Sequence, residues 1–127
     1  MTPLCYLQTA ARLWRVRRDL ASLGFEGARR RWLLPVTGDA RAPALAWARC
    51  LRRIGTRWPG SRCLDQSLTL ASLLRERGVA AILVIGAERQ GAQWMHHAWV
   101  EVDGAALAEA ESVSRFQILQ RWPDGGP

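Results

Sequence analysis

Residues 63–104 read CLDQSLTLASLLRERGVAAILVIGAERQGAQWMHHAWVEVDG, and the change of period inside this run decides the fold. From Cys63 to Gly78, Leu64, Leu68, Ala71 and Leu74, joined by Leu70 and Leu73, recur at helical spacing over a broad apolar face. The pattern predicts a largely buried helix starting at Ser61-Arg62-Cys63, with Asp65 in the first turn, where the helix dipole favours an anion. Gly78 suits its C-terminal cap. The period then shortens. Ala81–Gly86 is an unbroken apolar run typical of a buried strand, Glu88–Gln93 is polar and reads as a turn, and Trp94–Val102 alternates. Asp103-Gly104 is a hairpin signal, and Ala105–Ala110 is expected as a third strand.

Working outward, Leu4, Leu7, Ala11, Trp14 and Leu20 lie at helical spacing between arginines over residues 4–23. They predict an amphipathic helix whose stripe packs on its own domain, or one that rests on a membrane surface. Residues 24–39 read as a connector with a short structured piece. Within it Arg29-Arg30-Arg31-Trp32 suits nucleic acid through charge and stacking, and Trp32-Leu33-Leu34 equally suits a core anchor. A second helix is expected over about 40–57, its apolar side formed by Leu45, Trp47, Ala48, Leu51 and Ile54, stopped by Trp58-Pro59-Gly60. The end, Trp122–Pro127, reads as a frayed tail. Helices first and an antiparallel meander after them make an α+β fold. Within one domain, the expected parts are an N-terminal helical region (1–58), a core (59–121) and the tail (122–127).

Composition narrows the class. The chain has 127 residues, enough for one domain, and is 49% hydrophobic, enough for a core without staples. Its net charge is +7 and all its basic residues are arginine, which favours acidic partners. The three cysteines, Cys5, Cys50 and Cys63, form no CxxC pair, which argues against a disulfide framework or a structural zinc. Cys50 lies on the apolar side of its helix and reads as a small buried hydrophobe. No metal and no cofactor are expected. The N-terminus carries neither a signal peptide nor a membrane span, so a reducing, cytoplasmic setting is expected.

Cys63 and His97 are the residues that suggest chemistry. A helix start and a nearby imidazole are the two commonest means of making a thiol nucleophilic at neutral pH, and Arg62 adds a positive charge beside Cys63. On the alternating strand, His97, Trp99 and Glu101 share one face, and Ala98, Val100 and Val102 the other. Cys63 and His97 are expected to meet if the helix packs on the face carrying His97. His96, on the opposite face with the apolar residues, is a rival base and reads as a structural or a substrate-site residue. An imidazole in this role needs an orienting acceptor. The acids within range are Glu101, Asp103, Glu109 and Glu111. Asp103 is expected to face solvent, whereas Glu109, on the next strand, can return opposite His97.

The runs Cys63–Gly78, Leu83–Gly86 and His97–Gly104 together resemble the leader peptidase of lasso-peptide biosynthesis, the peptidase part of the B protein, a transglutaminase-like cysteine protease. The likeness is dense over about Pro59–Phe116 and looser before it. It implies a transglutaminase-like, papain-like core and a Cys-His-acid triad, with Cys63 and His97 in the first two places. The family has an Asp about a dozen residues after the histidine; Glu109, preceded by Ala108, falls there. The added methylene moves the carboxylate by about an ångström, enough to matter for catalysis.

The resemblance further implies cleavage of the leader from a ribosomally made precursor peptide, with a separate leader-recognition protein as partner and a lasso cyclase acting next. A chain without the family's recognition module is expected to be the stand-alone form. Two other readings remain open at this level: a degraded scaffold that positions the precursor, kept alive by Glu109, and a basic nucleic-acid or membrane-surface binder.

Overall fold

A computed structural model describes residues 3–39, 42–60, 62–107 and 115–123. Three helices, α1 (Pro3–Trp32), α2 (Ala44–Arg57) and α3 (Cys63–Arg75), precede four strands, β1 (Ile82–Gln90), β2 (Gln93–Val102), β3 (Ala105–Ala106) and β4 (Gln117–Trp122). The strands form one antiparallel sheet in the order β3-β2-β1-β4. The α+β expectation holds. The meander holds for β1–β3, and β4 crosses back to pair with β1.

α3 is the hub. Every residue from Ser67 to Arg75 is buried. Leu70, Leu73 and Leu74 pack with Leu13 of α1, with Trp47 and Leu51 of α2, and with Val79, Ala81 and Val100 at the sheet. Leu68 joins Val16, Ala28, Trp32 and Leu83 in a second cluster on the same face. Burying each such leucine contributes about 1.5–3 kcal/mol. All three helices thus cover the sheet face that carries Leu83 and Val100. The opposite face holds a smaller cluster of Val84 and Trp99 with Ile82, Ala106, Phe116 and Ile118.

Several expectations need correction. α1 continues through the expected connector to Trp32, broken only at Gly24, whose φ of 73° is non-helical. Its buried side is Thr9, Leu13, Val16 and Asp19, whereas Leu4, Leu7 and Trp14 of the expected core stripe are exposed. Two polar residues lie in the true stripe because each finds a partner. The Thr9 hydroxyl donates to the Cys5 carbonyl at 2.7 Å, and Asp19 accepts the Trp32 indole N–H at 2.8 Å. Trp32 is itself a core anchor. The guanidinium groups of Arg12, Arg15 and Arg31 lie 4.8–5.5 Å from its ring centroid, so its faces are already used. In α2, Leu45 is exposed and Cys50 is buried, the latter as expected.

In the sheet, the expected polar turn is mostly ladder. β1 runs to Gln90 and β2 starts at Gln93, leaving Gly91 (φ 63°) and Ala92 as the turn. Backbone hydrogen bonding sustains this exposed end without a core beneath it. β3 covers Ala105–Ala106, Leu107 after it donates its backbone N–H to the Val100 carbonyl at 2.9 Å, and 108–110 of the expected third strand lie outside the described residues. β4 was not expected, and Trp122, expected in the tail, is its last residue and meets the Phe25 ring edge-on at 5.0 Å. The β1–β4 register shifts between Ile85 and Gly86, where Leu119 is the extra residue. This bulge lets Ile118 and Trp122, four residues apart, serve opposite faces of the sheet.

Candidate active site

Cys63 is the first residue of α3, and the position is held by its neighbours. Arg62 is the N-cap, with extended backbone. The Asp65 carboxylate accepts the Arg62 backbone N–H at 2.8 Å and lies 3.4 Å from Arg17 of α1. A cap plus an anion in the first turn satisfies donors that a helix start otherwise leaves open. One turn on, the Ser67 hydroxyl donates to the Ala98 carbonyl at 3.0 Å and pins α3 to β2.

His97 lies on the other face of the sheet. Its ring stacks on Trp99 at 5.9 Å and lies 5.4 Å from Phe116. The condition set from the sequence therefore fails, because α3 packs on the Ala98/Val100 face and not on the face of His97. The two residues nevertheless line one pocket of about 90 Å³, with Ala48, Leu51 and Arg52 of α2, Gln66, Ser67 and Leu70 of α3, and Ala98–Val100 and Leu107. β3 pairs with β2 at Glu101 and Val102, and the Leu107 backbone N–H extends the contact to the Val100 carbonyl at 2.9 Å. The pocket thus collects a thiol from α3 and an imidazole from β2. Both Cys63 and His97 are half-buried, reachable yet partly shielded from water.

The other proposed acids and bases are placed as follows. His96 is exposed, not among apolar neighbours. Glu101 shares the face of His97, but its carboxylate is 3.1 Å from the Arg121 guanidinium and 3.5 Å from the Trp99 indole nitrogen. Asp103 sits in the exposed β2–β3 turn with φ of 54°. Glu109 and Glu111 lie outside the described residues. Sequence reasoning missed Ser67 and Gln66, although their spacing of four and three residues from Cys63 places them on its side of the helix. It also missed Phe116, for which no local pattern gave a signal.

Cys63 at a helix start and His97 on a neighbouring strand line one pocket of a helix-backed antiparallel sheet. The family model of the transglutaminase-like superfamily matches residues 5–121, and the chain belongs to that superfamily. No curated protein and no solved structure matches it significantly. Among the described residues, no helix is long and apolar enough to cross a membrane.

Proposed function

We propose that the protein is a cysteine peptidase that removes the leader from a lasso-peptide precursor. The observation that carries the chemistry is the shared pocket of Cys63 and His97 in a transglutaminase-like chain. The substrate class rests on the resemblance of Cys63–Gly78 and His97–Gly104 to the leader peptidases.

In this reaction His97 takes the proton from the Cys63 thiol, and the sulfur attacks the carbonyl at the leader–core junction. Backbone N–H groups at the start of α3, that of Cys63 among them, stabilise the oxyanion. His97 then protonates the leaving amine, which becomes the N-terminus of the core peptide. Water cleaves the remaining thioester, freeing the leader's carboxylate and restoring the thiol. Glu109 is the acid assigned to orient His97. A separate recognition protein presents the leader, a cyclase consumes the released core peptide, and the setting is the cytoplasm.

The test is cleavage of a precursor peptide in the presence of its recognition protein, read by mass spectrometry. Wild-type protein gives one cut at the leader–core junction, and Cys63→Ala gives none while keeping the fold. Cleavage that persists in Cys63→Ala refutes the mechanism. Wild-type protein that binds the precursor and never cuts it marks a scaffold instead.

A further inference from the structure

α1 carries two stripes, and the core uses one. The other faces solvent: Leu4, Leu7, Ala11, Trp14, Arg18 and Ala21 are all exposed, with Leu4, Leu7 and Trp14 at 61%, 69% and 52%. Their spacing alternates three and four residues throughout, which is the seam one helix presents to another. The seam ends before the break at Gly24 and is about 26 Å long at a rise of about 1.5 Å per residue. Ala11 and Ala21 leave shallow holes between the large side chains, as knobs from a facing helix require.

The rim identifies the occupant. Arg15 is exposed beside the seam and Arg18 within it, the Arg18 guanidinium over Trp14 at 5.1 Å and that of Arg15 over Trp32 at 5.2 Å. From Pro3 to Arg18 the helix contains no acidic residue. Its two acids are Asp19, buried against Trp32 with one oxygen 3.7 Å from the half-exposed Arg18, and Glu26, paired with Arg29 at 2.8 Å beyond the break. A second copy of this chain offers no acidic residue between Pro3 and Arg18, so self-pairing in either orientation brings no new counter-charge to Arg15 and Arg18. A membrane-lying helix has a wider apolar face than this narrow seam with an arginine in its line.

We infer that the outer face of α1 docks an acidic amphipathic helix of a partner protein, seating its leucines on Leu4, Leu7, Ala11 and Trp14 and its carboxylates on Arg15 and Arg18. The site is remote in function from the Cys63 pocket, and the inference stands whatever reaction that pocket performs.

The probe is a fluorescein-labelled peptide of three heptads with Leu at the seam positions and Glu on both flanks, beside a counterpart with Lys in place of Glu. Fluorescence anisotropy should show saturable binding of the Glu peptide and weaker binding of the Lys peptide. Leu7→Ser with Trp14→Ser should weaken the Glu peptide by about tenfold or more, as expected for loss of two apolar anchors. Circular dichroism should remain unchanged, because both side chains are exposed. Arg15→Glu with Arg18→Glu should reverse the preference between the peptides.

Absence of saturable Glu-peptide binding, or binding that survives the paired serine substitutions, overturns the inference. Two other results overturn it by naming another occupant. One is a dimer in sedimentation velocity that the paired serines abolish. The other is co-sedimentation with phosphatidylglycerol-containing vesicles that the serines abolish and the Glu peptide does not compete away.

Discussion

Gly86→Ala tests the packing behind the candidate site. Gly86 pairs with His97 across the β1–β2 ladder, and the Trp99 ring lies over it. A Cβ at that position would be 2.7 Å from Cη2 and 2.9 Å from Cζ3 of Trp99, and 3.0 Å from the Gln117 carbonyl oxygen. Ordinary contact begins at 3.4 Å, so the ring must retreat by about 0.7 Å while β4 yields by about 0.4 Å. Trp99 is 4% exposed and packed against Phe116 and His97, so the displacement spreads through that face. Overpacking of this kind costs about 1–3 kcal/mol. Replacing glycine in a strand returns about 0.5–1 kcal/mol. The net loss is about 1–2 kcal/mol, a fall in melting temperature of roughly 3–10 °C for a domain of this size. Urea denaturation of Gly86→Ala, Trp99→Phe and the double variant measures it. The pair should couple by about 0.5 kcal/mol or more, since phenylalanine lacks the far indole atoms. A Gly86→Ala protein as stable as its parent would refute the reasoning.

The remaining predictions share this logic. Gly55→Ala places a Cβ 2.5 Å from Cδ and Nε2 of Gln66, but a flexible amide end can turn away and alanine favours a helix by up to about 1 kcal/mol. Its melting temperature should hold or rise, and a loss beyond about 2 kcal/mol contradicts the account. Asp65→Ala removes the acceptor at the start of α3 and the partner of Arg17, and should cost about 1–2 kcal/mol in urea denaturation. Strict additivity with Arg17→Ala would show that the ion pair contributes nothing. Burial pushes the Cys50 thiol above its ordinary value, against a weaker opposing effect of the Thr9 hydroxyl 3.8 Å away. Native-state alkylation should therefore modify Cys63 well before Cys50, as peptide mapping will report. The linked stability is fully present below the ordinary thiol value near pH 9 and is lost as pH rises through the raised value. Cys50→Ala should flatten that decline.

The run from Cys63 to Gly104 determined much of the fold by itself. An apolar helix, a buried strand and an alternating strand ending in Asp-Gly differ in period, and period is a local property carried by the order of residues. The same run named Cys63 and His97 and placed the cysteine at a helix start. The helical pattern before that run marked Cys50 as buried. Two matters needed the tertiary structure. The first was which stripe of α1 is inside, because both have helical spacing. The inner one contains Thr9 and Asp19, acceptable only once the Cys5 carbonyl and the Trp32 indole are in place. The second was how thiol and imidazole share a pocket, since alternation puts His97 opposite α3. The pocket collects Cys63 from α3 and His97 from β2, and the antiparallel return of β4 along β1 brings Phe116 against the histidine ring. Strand pairing between distant segments sets both features, and no local pattern encodes it.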